Sequence, residues 1–157
     1  MKIELDPIGR VETARRDVED DHWGGVEARI VLDERFDAVA LDGIEEFSHA
    51  EIVFLFDRVP PEKIQSAARR PRNNPEWPAV GIFAQRGKNR PNRIGTTICR
   101  ILGREGRTLR VAELDAIDGT PVLDVKPVIR EFLPRGELRQ PGWCSELMRR
   151  YWERGRN

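Results

Sequence analysis

Cysteine is scarce in this chain: the 157 residues hold two, Cys99 and Cys144, far apart. No Cys-x-x-Cys is present, and the two histidines, His22 and His49, are also distant, which argues against a tight metal site. There is no signal-peptide pattern and no apolar run long enough to span a bilayer. The expectation is a cytoplasmic protein away from the membrane, with both thiols reduced and in ordinary core or surface positions. No Gly-x-Gly-x-x-Gly follows a strand pattern and no P-loop occurs, so a Rossmann-type nucleotide site has no support. A Gly-x-Ser-x-Gly elbow is missing, and Ser48-His49 are neighbours in sequence rather than members of a relay. Internal repeats and linkers are absent as well, so residues 1–157 read as one domain, long enough for a core.

Net charge is also lacking: Lys+Arg and Asp+Glu are both 27. The charges are segregated, however. Met1–Glu62 carries 17 acidic and 7 basic residues, and Arg69–Arg104 carries 9 basic and 1 acidic. Such asymmetry fits an acidic part pairing with a basic part, within one chain or between subunits, and it also fits a basic patch for nucleic acid.

The basic part contains the stretch around which the chain is organised, Gly81-Ile-Phe-Ala-Gln-Arg-Gly-Lys-Asn-Arg-Pro-Asn-Arg-Ile-Gly95. Ile82 and Phe83 favour a strand. A loop follows that holds Arg86, Lys88, Arg90 and Arg93 between Gly, Asn and Pro residues able to fix its backbone. A loop of this kind suits a nucleotide-like or phosphate-bearing ligand, and equally a solvated basic turn.

The remainder reads mainly as strands. Ile3 to Val11 is a short first strand, and Arg15 to Gly25 is an acid-dense loop. Val26 to Asp33 alternates with period two, as a half-buried strand does. The apolar run Ile52 to Phe56 predicts a strand covered on both faces. Pro60-Pro61 predicts a helix through Ala68, with proline in its first turn. Thr96 to Leu102 and Thr108 to Leu114 are further strands around a turn at Gly103–Arg107, and a short strand precedes Pro127. Ser145 is placed to cap a final helix with Leu147, Met148, Tyr151 and Trp152 on one, core-facing, side. Many short strands with two helices predict a mostly β fold, and a barrel is preferred because closure removes strand edges. Asp57, Asp115 and Asp118 lie at strand ends and turns, where a carboxylate serves as turn former, ion-pair partner or polar catalytic group.

Three stretches carry a family resemblance. Gly81-Ile-Phe-Ala-Gln-Arg86 with Asn89-Arg-Pro-Asn-Arg-Ile-Gly95 resembles the G-V/I-F-A-x-R…R-P-N-x-I-G signature of the TsaA-like family. Gly43-Ile-Glu-Glu-Phe-Ser-His49 and Leu114-Asp-Ala-Ile-Asp-Gly-Thr-Pro-Val-Leu-Asp-Val-Lys-Pro127 also fit, in the same order. That family includes a tRNA methyltransferase acting on N6 of threonylcarbamoyladenosine. The resemblance implies a compact β-barrel that binds S-adenosylmethionine, works on tRNA and forms a homodimer with the cofactor near the subunit interface. It implies cofactor contacts at Asp21, His22, Trp23, Phe56, Asp57, Arg86, Thr96, Ala112, Glu113, Leu114 and Asp115. Asp115 and Asp118 are the candidates for orienting the amine that accepts the methyl group, and Arg86 suits the cofactor carboxylate. The chain departs from the tRNA enzyme at Asp57, often His there, and at Arg93, a proline there. It also ends at Asn157, without the further C-terminal domain that the tRNA enzyme often carries.

Overall fold

Six strands close into a barrel in the order β1-β2-β7-β6-β3-β8, in a computed structural model that describes residues 1–155. The elements are β1 (Gly9–Thr13), β2 (Glu27–Leu32), β3 (His49–Leu55), β4 (Ala68–Arg69), β5 (Val80–Gly81), β6 (Ile94–Glu105), β7 (Thr108–Ala112), β8 (Pro121–Pro127) and one short helix, α1 (Gly142–Leu147). Every barrel pairing is antiparallel, and β1 closes the ring by pairing with both β2 and β8. Closure gives every barrel strand a partner on both sides, as the run of short strands predicts, with β1 and β8 joined over a short seam. β4 and β5 form a separate two-stranded ribbon.

The inward positions follow from period two. Ala28, Ile30 and Leu32 of β2 are buried while Glu27 and Arg29 are exposed. Along β3, Ala50, Ile52 and Phe54 face in; Val53 and Leu55 face out and are only half covered. These side chains meet Val11, Cys99, Leu109, Val111, Leu114 and Val122 in one cluster that fills the barrel.

Gly95 has a packing reason. It lies opposite Phe54, and a Cβ there would come within 2.6 Å of the Phe54 ring and 2.8 Å of Phe56. Phe54 is fully buried and makes an edge-to-face pair with Phe56 at 5.2 Å, so neither ring can swing clear. Gly95→Ala is expected to destabilise the barrel by roughly 1–3 kcal/mol, as overpacking does. Urea unfolding of the variant checks this, and a midpoint equal to wild type would mean the rings yield freely.

Several segments differ from the sequence expectation. β1 begins at Gly9, and Ile3 and Leu5 lie exposed outside the barrel. The Pro61 segment makes a single 3-10 turn, Pro61–Lys63, and then runs extended to β4. Its backbone is taken by neighbours: Gln65 N donates to Asn89 O and Ile82 N to Ala67 O, leaving nothing to build a helix ladder. Ile82 and Phe83 belong to a 3-10 turn, Ile82–Ala84, not a strand; Ile82 is buried and Phe83 exposed. β6 runs three residues past Leu102, through a bulge between Ile101 and Gly103. Ser145 lies inside α1, whose cap position is Pro141. The face of Leu147, Met148, Tyr151 and Trp152 is not core: Met148 and Trp152 are exposed and the other two half-buried.

Candidate active site at one end of the barrel

Where β7 ends and β2 begins, the chain gathers acidic, aromatic and strained residues. Asp115 follows β7 by three positions and is half-buried. Thr97, an inward residue of β6, donates its hydroxyl to Asp115 Oδ1. The Tyr151 phenol donates to Asp115 Oδ2. Each carboxylate oxygen therefore has one lone pair engaged and one left for a ligand donor. Burial, and then the neighbouring Asp115 carboxylate, push the Tyr151 phenol well above its ordinary value, so it stays a proton donor. Cys99 lies deeper in the same wall; burial first, then Asp115 and Glu113, push its thiol far up, and it remains a neutral packing group.

The loop before β2 forms the second wall. Trp23 is 3% exposed, with the Arg15 guanidinium 3.6 Å from its ring centre. Arg15 also donates to the carbonyls of His22, at 2.7 Å, and Asp21, at 2.6 Å, which fixes the loop from inside. Asp21 accepts a two-pronged ion pair from Arg72, with distances of 2.9 and 3.2 Å, and Asp20 lies 3.8 Å from the same arginine. Here the basic part of the chain meets the acidic part within one molecule; Arg104 and Asp42 do so again at 2.6 Å. His22 (φ 66°), Arg72 (φ 51°) and Glu113 (φ 68°) all hold left-handed backbone. Non-glycine residues in this backbone region cost roughly 1–3 kcal/mol each and persist only where their surroundings fix them. Glu113 Oε1 accepts from Gly25 N at 3.3 Å, so it ties this wall to the end of β7.

The residues expected to form the site fall into three groups. Asp21, His22, Trp23, Glu113, Leu114 and Asp115 come together as described, with Ala112 and Leu114 as buried supports. Arg86 and Thr96 form a second group: Arg86 Nη2 donates to Thr96 O at 2.7 Å and to its hydroxyl at 3.2 Å. Thr96 faces outward from β6, opposite to Thr97, so within one chain this pair lies on the other side of the strand from Asp115. Phe56 and Asp57 form the third, at the end of β3. Phe56 N donates to Arg93 O at 2.8 Å, and Asp57 is exposed. Asp118 is a turn residue: its Oδ1 accepts from Thr13 N at 3.1 Å, and its carbonyl accepts from Arg58 at 3.2 Å.

The basic loop is braced by its own guanidinium groups. Arg90 donates to Gln85 O at 2.7 Å, Arg93 to Val59 O at 3.1 Å, and Arg70 to the carbonyls of Pro75 and Trp77. Neutral carbonyls leave the charges in place, so the loop keeps a positive field while its shape is set.

Residues 19–132 match the profile of the tRNA-methyltransferase O N-terminal domain. The chain belongs to this family. A Pyrococcus abyssi protein named for S-adenosyl-L-methionine binding is 40% identical over 106 residues, which are 68% of this chain and 54% of that protein. The human tRNA (adenine(37)-N6)-methyltransferase is 38% identical over 102 residues, 65% of this chain and 23% of its own length. The crystal structure of TrmO from Pseudomonas aeruginosa superimposes with a TM-score of 0.72 at 27% identity, covering 91% of this chain and 62% of that one. The chain thus spans about half the length of the Pyrococcus relative and less of the human one.

The residues of this tRNA-methyltransferase O domain fit a sulfonium cofactor of the kind for which its relatives are named. Such a molecule carries an ammonium, a carboxylate and ribose hydroxyls, so it needs both acceptors and donors. Asp115 retains acceptor capacity on each oxygen. His22 Nδ1 and Asn89 Oδ1 are buried without a hydrogen-bond partner among the described residues, one in the Trp23 loop and one in the basic loop. Among the described residues no group of three or more His, Cys, Asp or Glu is placed to hold a metal ion. No helix there is long and apolar enough to cross a membrane.

Sequence reasoning passed over Thr97 and Arg15, and it read Tyr151 as a core-facing residue of the final helix. Thr97 could have been found as the polar inward position of β6, between Gly95 and Cys99. Tyr151 is the chain's one tyrosine, and its place on an apolar stripe masked its hydroxyl.

Proposed function

We propose that this chain is an S-adenosylmethionine-dependent methyltransferase that acts, as a cytoplasmic homodimer, on N6 of threonylcarbamoyladenosine in tRNA. The observation that carries the reading is Asp115, held by two hydroxyl donors at the end of a barrel of the tRNA-methyltransferase O family, with an acceptor site free on each oxygen. When bound, S-adenosylmethionine supplies an electrophilic methyl group on a sulfonium. The residues of the chain align the two bound partners: Asp115 has an acceptor site on each oxygen, one for a donor of S-adenosylmethionine and one for the acceptor amine, whose lone pair is thereby turned toward the methyl group. The fixed, basic loop supplies attraction for the tRNA backbone, which gives affinity but not choice of base. Arg86 serves the cofactor carboxylate. Homodimerisation is supported by the outer face of β6, where Ile94 and Ile98 lie exposed beside Thr96 and Arg86, with Phe83 exposed nearby in sequence to Arg86.

Calorimetry with S-adenosylmethionine is expected to give saturable heat. Arg86→Ala should weaken this binding roughly tenfold or more, the worth of a charge-assisted hydrogen bond. Arg93→Ala should cost less affinity, because Arg93 braces the Val59 carbonyl, whereas Arg86 is joined to Thr96, the other cofactor contact expected on β6. Equal affinities for the two variants would remove Arg86 from the site. A flat wild-type titration on folded protein would remove the cofactor from the reading. Mass spectrometry of tRNA nucleosides from cells with and without the chain tests the substrate: the methyl group on threonylcarbamoyladenosine should be lost with the chain.

A further inference from the structure

The C-terminal segment enters the site from outside the barrel. After α1 the chain turns once through Met148–Arg150 and then runs alongside the Trp23 loop. His22 N donates to Arg150 O at 3.1 Å, Trp23 N to Tyr151 O at 2.8 Å and Gly24 N to Glu153 O at 3.2 Å. Trp77 Nε1 donates to Glu146 Oε2 at 2.7 Å, so the same segment is tied to the basic stretch as well. Gly24 lies so close to the backbone of Trp152 that any Cβ there would overlap the Trp152 carbonyl oxygen. This strap delivers the Tyr151 hydroxyl to Asp115 Oδ2, opposite the Thr97 hydroxyl on Oδ1. Arg72 and Asp20 are the other charged groups that bear on the phenol. Two donors on the two oxygens remove the freedom of the carboxylate to rotate about its last bond.

We propose that Tyr151 is a positioning residue: the strap brings its phenol to Asp115 so that this carboxylate presents one fixed set of acceptor sites to S-adenosylmethionine. The inference rests on the reading of Asp115 under Proposed function and adds the segment 148–154 to the site. Thr97 alone leaves one oxygen free to swing. With Tyr151 in place, the acceptor geometry is set before the ligand arrives, and less ordering is needed on binding.

The test is a calorimetric cycle with S-adenosylmethionine on wild type, Tyr151→Phe, Asp115→Asn and the double variant, each checked for a cooperative thermal transition. Tyr151→Phe keeps the ring and deletes only the hydroxyl. It is expected to lose roughly tenfold in affinity, and that loss should largely vanish on the Asp115→Asn background. Gly24→Ala, which pushes the strap away without changing either partner, should reproduce the loss. Affinity of Tyr151→Phe within about twofold of wild type, or an equal loss on both backgrounds, would overturn the proposal. Because Tyr151 is the one tyrosine, its ionisation can also be followed in the ultraviolet without replacing it. The phenolate should form at lower pH in Asp115→Asn than in wild type, and identical curves would refute the contact even if Tyr151→Phe failed to fold. No heat with wild type, alongside a phenol that still depends on Asp115, would end the cofactor reading and with it the ligand role of this pair. Heat with wild type and none of the expected loss in Tyr151→Phe would end only the role of Tyr151.

Discussion

Asp115→Ala is expected to destabilise the folded chain by about 3 kcal/mol or more, in addition to abolishing binding of S-adenosylmethionine. Two hydroxyl donors, Thr97 Oγ1 and Tyr151 OH, share this carboxylate. A hydrogen bond to a charged group contributes about 1.5–3 kcal/mol, and a buried donor left without an acceptor costs a further desolvation penalty. Thr97 is 8% exposed, so water cannot readily replace the carboxylate there. The loss should also release the strap, because Tyr151 is its inward anchor. Asp115→Asn keeps one acceptor oxygen and should fall between the alanine variant and wild type. Urea unfolding near neutral pH gives the order. Asp118→Ala is the contrast: its carboxylate accepts one bond, from Thr13 N at 3.1 Å, and its loss should cost nearer 1 kcal/mol. Equal costs for the two aspartates would show that Asp115 is a turn residue like Asp118.

Sequence spacing made these two carboxylates look alike, since both flank the same Gly-Thr-Pro turn region. What separates them is a residue from β6 and another from the C-terminal strap, thirty-six positions beyond Asp115. Local patterns do not carry information of that kind. The barrel was legible because period-two burial is local: β2 alternates as its residues predict. β3 also alternates, although its apolar run predicts cover on both faces; Val53 and Leu55 point out of the barrel and are half covered. The Pro61 segment misled for the opposite reason. Its composition allows a helix, yet its amides and carbonyls are claimed by Asn89 and Ile82, which only tertiary structure brings near. The organising loop was legible in its charge and its turn residues, but not in the use of that charge. Arg90 and Arg93 brace carbonyls, and Arg72, from the neighbouring stretch, pairs with Asp21. The pairing of acidic and basic segments was readable as an asymmetry; its place at the candidate site was not.

The stability of the fold is expected to fall at alkaline pH, starting close to pH 9. Two acids withdrawn from water drive it, Cys99 fully buried and Tyr151 half-buried. The Cys99 thiol is raised from its ordinary 9.0, by burial first and then by Asp115 and Glu113. The Tyr151 phenol is raised from its ordinary 10.0, by burial first and then by Asp115. In the unfolded chain both groups ionise near their ordinary values, whereas in the fold both keep their protons to higher pH. The folded state therefore binds more protons across the interval between, and stability must fall as pH rises through it. Below pH 9 the contribution of both groups is fully present. Between pH 9 and 10 Cys99 alone sets a slope of about 1.4 kcal/mol per pH unit, and above 10 Tyr151 roughly doubles it. Lys126 adds in the same direction, since Asp124, by hydrogen bond and then by charge, raises its ammonium on the surface. At such slopes the interval from pH 9 to 11 removes about 4 kcal/mol, against the roughly 5–15 kcal/mol typical of a domain. Urea midpoints measured from pH 7 to 11 should stay level and then fall with this two-stage slope. Cys99→Ala should delay the onset to near pH 10, while Tyr151→Phe should keep the onset and remove the steeper stage. A wild-type profile that stays level to pH 11 would mean that neither acid is held protonated by the fold, and that the contact of Tyr151 with Asp115 is absent in solution.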